Sequence, residues 1–71
     1  MKLHWEVEGP YETLNTDSAL DALAEYDRLI KLGENPILYE VIEEGNETLD
    51  HMKITREWIL SDANFEEAFG K

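Results

Sequence analysis

The sequence predicts an α+β fold: three or four mainly antiparallel strands packed on one central helix, in the order β(β)αββ, with a short C-terminal helix. Three observations predict it. Apolar residues between Asn15 and Asn35 recur at the 3.6-residue period of a helix. The segments on either side alternate with a period of two, as strands do. The breaks between segments fall at Gly9-Pro10, Gly33, Pro36 and Gly45-Asn46, residue types that turn or stop a chain.

The first strand runs from Lys2 to Glu8. Leu3, Trp5 and Val7 point one way, and His4, Glu6 and Glu8 the other, the pattern of a half-buried strand. Gly9-Pro10 ends it. Tyr11 to Leu14 is either a short returning strand or a loop, and a hairpin is the favoured reading. Pro10 has no N–H for a ladder, so a strand here lies at an edge or begins after it.

The central helix carries Ala19, Ala22, Leu23, Tyr26 and Ile30 on one stripe, with Leu20 and Leu29 at its edges. Asp21, Glu25 and Arg28 fall on the other side. Asn15, Thr16, Asp17 and Ser18 each offer a side-chain oxygen to the free N–H groups of the first turn. Gly33 supplies a left-handed terminus and Pro36 prevents a return to helix. Asp27 and Lys31, four apart, form the favoured i, i+4 ion pair.

Ile37 to Ile42 is apolar on both faces, which suggests a central strand. Ile37, Tyr39 and Val41 form the row expected to face the helix. Leu38 and Ile42, interrupted by Glu40, form the other. After the Gly45-Asn46 turn, alternation from Met52 to Leu60 reads as a longer partner strand. The alternative is that a helix already begins at Arg56. Ser61 and Asp62 are candidate caps for the last helix. Phe65, Ala68 and Phe69 share a face of it, covering Leu38 and Ile42, and Gly70 stops it.

Seventy-one residues make one domain. A chain of this size buries only about 60% of its unfolded surface, so its core is small. Seventeen acidic residues against six basic ones give a net charge of −11. Disorder does not follow, because 42% hydrophobic residues and seven aromatics suffice for a core. With no cysteine, no disulfide or thiolate chemistry is available. No signal-peptide pattern opens the chain and no apolar run reaches membrane-span length, so a cytoplasmic location is expected.

This charge repels DNA, RNA and anionic membranes, and favours a basic protein surface or a divalent cation. From Gly33 to Met52 there is no Lys or Arg, while Glu34, Glu40, Glu43, Glu44, Glu47 and Asp50 lie within it. A hairpin there gathers most of them at one end of the sheet, and Glu6, Glu8 and Glu12 extend the patch. Rows of carboxylates about 6.6 Å apart on a strand face can stand in for phosphates. They also keep a small domain soluble and guard strand edges. Leu38, Ile42 and Trp58 are the apolar candidates for a partner contact or a dimer seam.

Metal and catalytic readings are weaker. The segment Glu44 to Asp50 lacks the alternating ligands of a calcium loop, and His4 and His51 have no second His at helical spacing and no cysteine. Ser18 and Ser61 read as helix caps rather than nucleophiles, so no catalytic residue, metal or cofactor is assigned. In size, acidity and lack of a catalytic signature the chain resembles small proteins of phages and mobile elements, several of which inhibit host machinery, some by imitating DNA. The likeness is one of type, and no stretch of residues carries it. The sequence therefore points to a non-catalytic binding module that docks carboxylates on a basic, nucleic-acid-binding protein. The competing reading is a self-associating protein, a homodimer for instance, whose acidity serves solubility.

Overall fold

The computed structural model describes residues 1–69. Strands β1 (Lys2–Glu8) and β2 (Thr13–Thr16) precede helix α1 (Ala19–Lys31). Strands β3 (Ile37–Glu44) and β4 (Glu47–Ile54) then lead into helix α2 (Arg56–Phe69). The four strands form one antiparallel sheet in the order β2-β1-β3-β4, with β2 and β4 at the edges. The returning strand is real but begins at Thr13, three residues after Pro10. It pairs Trp5 with Thr16 and Glu8 with Thr13.

Both helices pack on one face of the sheet. Trp5, Val7, Leu38 and Ile54 from the strands form one buried cluster with Ala19, Ala22 and Leu29 of α1 and Ile59 and Ala63 of α2. Cross-strand pairing carries this face across the sheet as Val7, Leu38 and Ile54, then as Trp5, Glu40 and Met52. The expected orientation of β3 is therefore inverted. Leu38, Glu40 and Ile42 face the helices, and Ile37, Tyr39 and Val41 face away. Leu38 is 2% exposed and belongs to the core, so it is not the partner or dimer contact that its strand pattern suggested. Both rows of β3 are apolar enough to serve. Val41 stays buried on the helix-free face because its cross-strand neighbours are His4 and His51. The His51 ring also packs on Tyr39, with centroids 4.6 Å apart.

Ser18 caps α1, its side chain accepting from the Asp21 N–H at 3.2 Å. At the other end the Gly33 N–H donates to Ile30 O and the Glu34 N–H to Leu29 O, both at 3.0 Å. This double bond pattern requires a left-handed residue, and Gly33 has φ +84°. The buried stripe of α1 is turned toward Leu29, while Ile30 remains 46% exposed. Gly9 makes room for it: a Cβ there would sit 3.2 Å from Leu29 Cδ1.

The second long strand is shorter than its alternation implied. β4 ends at Ile54, and α2 begins at Arg56, with Ser61 and Asp62 inside it rather than capping it. Thr55 holds the first turn, its Oγ1 accepting from the Trp58 N–H at 3.2 Å and its carbonyl from the Ile59 N–H at 3.1 Å. The expected stop at Gly70 lies outside the described residues.

Two side-chain clamps join the helices. Arg56 donates to both oxygens of Asp27, each bond 2.9 Å long. Asp27 thus pairs across to α2 instead of along α1 with Lys31, because a planar guanidinium fits a carboxylate bidentately. At the other clamp, Glu66 of α2 reaches the start of α1. Its carboxylate accepts from Ser18 Oγ–H at 2.5 Å and from the Ala19 N–H at 2.6 Å.

Candidate protein-binding surface

The sequence-predicted carboxylates do not form a single patch. Glu43, Glu44 and Glu47 meet at the β3–β4 turn, where Glu44 lies opposite Glu47. Gly45 takes φ +60° at the first turn position, which makes the two-residue connection tight and sets these side chains at the tip of the hairpin. Glu8 and Glu12 lie at the opposite end of β1, beside the Gly9 turn, where Glu12 O accepts from the Gly9 N–H. A seven-residue strand separates the two ends by about 20 Å.

Glu6 is on the helix-free face and is engaged there with histidines. Its Oε1 lies 3.1 Å from His51 Nε2 and its Oε2 3.6 Å from His4 Nε2. His4 Nδ1 in turn lies 3.2 Å from Glu43 Oε1. This face also carries Lys2, opposite Glu43, and Lys53, opposite Tyr39. It is therefore a mixed surface of carboxylates, imidazoles and ammonium groups, not a row of negative charge. Among the described residues, no group of three or more His, Asp or Glu side chains is placed to hold a metal ion.

Glu40 and Asp50 lie on the opposite face, Glu40 against α2 and Asp50 exposed on the edge strand β4. Glu40 Oε2 accepts from the Trp58 indole N–H at 2.9 Å. Asp62 lies next to Glu40. Burial, first, and the neighbouring Glu40 carboxyl, second, push the Asp62 carboxyl above the usual aspartate range, with the Trp5 and Trp58 indoles opposing the shift. Asp62 Oδ2 and Trp5 Nε1 are both buried without a hydrogen-bond partner of good geometry. Glu66, one turn further along α2, shows the opposite behaviour. Donation from Ser18, reinforced by the backbone N–H groups of Ala19 and Leu20, holds its carboxyl below the usual range, against a smaller effect of burial.

Beside these carboxylates is an apolar groove of about 310 Å³, lined by Leu3, Trp5, Asp62, Phe65, Glu66 and Phe69. Phe65 and Phe69 were expected to cover β3. Instead they are 68% and 73% exposed, with their rings stacked at a tilt, 4.7 Å between centroids. Ile59 and Ala63 cover the sheet in their place. Ile42 is only half-buried, with Leu3 and Asp50 as its cross-strand neighbours. Trp58 continues the exposed aromatic side of α2 at 47%. Trp58, Phe65 and Phe69 stand at i, i+7 and i+11, which places them on one side of a helix, about a third of a turn from Ile59 and Ala63. The sequence reading missed this stripe because it assigned residues 56–60 to a strand.

A further open cavity, about 400 Å³, lies between β2 and α1 and is lined by both polar and apolar side chains. Its Glu25 and Arg28 are bound to each other through two hydrogen bonds of 2.8 Å. No helix of the described residues is long and apolar enough to cross a membrane. No family model, curated protein or solved structure matches the chain.

Proposed function

We propose that this protein is a small acidic binding module that docks on a basic, nucleic-acid-binding protein and inhibits it by occupying its nucleic-acid site. The observation that carries the reading is the placement of Glu43, Glu44 and Glu47 at the tip of the β3–β4 hairpin, in a stretch with no Lys or Arg from Gly33 to Met52. Carboxylates at a projecting tip steer encounter with a cationic surface and fix its register, while apolar contacts supply most of the affinity. A net charge of −11 on so small a domain also works against its own compact state, and a cationic partner relieves that repulsion.

Replacing Glu43, Glu44 and Glu47 together with Lys tests this. The triple variant is expected to lose at least about tenfold in affinity for the partner at low salt, mostly through slower association. An unchanged affinity would remove the hairpin tip from the interface.

A further inference from the structure

We infer that the groove between β1 and α2 is the docking site for an arginine-bearing amphipathic segment of the partner protein. The inference rests on the reading of the chain as an acidic binding module, and it names the chemistry that module recognises. Leu3, Phe65 and Phe69 are 43%, 68% and 73% exposed, and the adjoining Trp58 is 47% exposed. Leu3, Phe65 and Phe69 line one groove together with Trp5, and Trp58 flanks Asp62 at its side, whereas the helix-free face carries carboxylates, imidazoles and ammonium groups among its apolar residues. Grouped apolar exposure of this kind marks an interaction site, whereas single exposed apolar residues do not.

The charge around the groove selects the occupant. Asp62 and Glu66 line the groove, and Glu40 and Asp50 follow on the adjacent strands. The groove lining includes no Lys, Arg or His. Glu66 is already satisfied by the N-terminus of α1. Asp62 is not: its Oδ2 has no hydrogen-bond partner, and it lies against the carboxyl of Glu40, whose one donor is the Trp58 indole. A guanidinium offsets the charge of these neighbouring carboxyls. It donates through a planar fork to two carboxylates and lays its face on an aromatic ring, which an ammonium does less well. A second copy of this chain is the poorer occupant. It brings another net charge of −11, and in a two-fold contact it sets carboxylates against carboxylates.

The test uses the isotopically labelled chain and three helical peptides, built from leucine with arginine, leucine with lysine and leucine with glutamate. The arginine peptide is expected to shift the amide signals of Leu3, Trp5, Ile42, Asp62, Phe65 and Phe69 and the Trp5 indole signal. It is expected to bind about tenfold tighter than the lysine peptide. The glutamate peptide is expected not to bind. Phe65→Ser combined with Phe69→Ser is expected to weaken arginine-peptide binding at least about tenfold at moderate salt. Both residues are exposed, so circular dichroism of the double variant should match the parent. Shifts centred on the β3–β4 tip, with the double variant binding normally, would overturn the groove and leave the acidic module standing. Failure of both cationic peptides to bind would overturn the two together. A parent chain that sediments as a dimer, dispersed by Phe65→Ser, would overturn the foreign partner in favour of a second copy.

Discussion

The two helices are almost equal in length, 13 and 14 residues, yet they use their apolar side chains differently. α1 is closed by a serine cap at one end and a glycine motif at the other, and it buries Ala19, Ala22 and Leu29. α2 buries only Ile59 and Ala63, and leaves Trp58, Phe65 and Phe69 in solvent. α1 also exposes Ile30, and Leu32 just beyond its end is exposed too. The small pocket of about 140 Å³ that Leu32 lines near Tyr11 includes Arg28 among its residues, so it lacks the one-sided charge of the groove on α2. The contrast teaches that α1 is spent on the fold, while α2 divides its circumference. One side completes the core, and about a third of a turn away the other side leaves aromatic surface exposed.

The largest effect should come from breaking the inner side of α2. Ile59 is fully buried. Ile59→Ala is expected to cost about 2–4 kcal/mol in urea unfolding, by lost burial and a residual cavity. Phe65→Ala, six residues along the same helix, is expected to cost about 0.5 kcal/mol or less. Equal losses would mean that α2 has no division between a structural and an available side.

The next pair of variants separates two carboxylates one turn apart. Glu66 is held below the ordinary glutamate range in the folded chain. Its contribution is therefore present above that ordinary range and lost as pH falls through the lowered folded value. Glu66→Gln is expected to lower stability by about 1 kcal/mol at neutral pH, the scale of losing a helix cap, with the difference vanishing in acid. Asp62 is shifted up, so the sign reverses. The folded chain holds the Asp62 proton more tightly, and this favours folding at low pH and fades as pH rises through the raised value. Asp62→Asn is accordingly expected to raise the unfolding midpoint at neutral pH and to leave it unchanged in acid. Two pH profiles moving in the same direction would contradict the arrangement of α2 around Glu40 and Ser18.

The smallest effect belongs to the clamp between the helices. Arg56→Met removes an exposed bidentate pair with Asp27. A slight loss of thermal midpoint is expected at low salt and none at high salt, since water and ions screen such pairs.

Much of this fold was legible in the sequence because its punctuation is unambiguous. Gly9-Pro10, Gly33, Pro36 and Gly45-Asn46 bound elements whose periods are clear, and the α+β order followed. Two features were not legible. The facing of β3 depends on which of two apolar rows the helices choose, and Ile37, Tyr39 and Val41 are as apolar as Leu38 and Ile42. The start of α2 was hidden because Met52, Ile54, Arg56, Trp58 and Leu60 alternate like a strand, while the turn is made by a single residue, Thr55, whose side chain caps the helix. With α2 begun at Arg56, the spacing of Trp58, Phe65 and Phe69 exposes the aromatic stripe. The acidic surface was legible as composition but not as geometry. Glu6 is engaged with histidines, Glu40 with an indole, and Glu8 and Glu12 lie at the far end of β1.

The most direct test of the central claim is capture by the tagged chain from nuclease-treated cell lysate, read by mass spectrometry with and without excess duplex DNA. The account predicts one dominant basic protein, released by the DNA and by raised salt. Recovery of only the chain itself, or of an unselective mixture of cationic proteins, would contradict it.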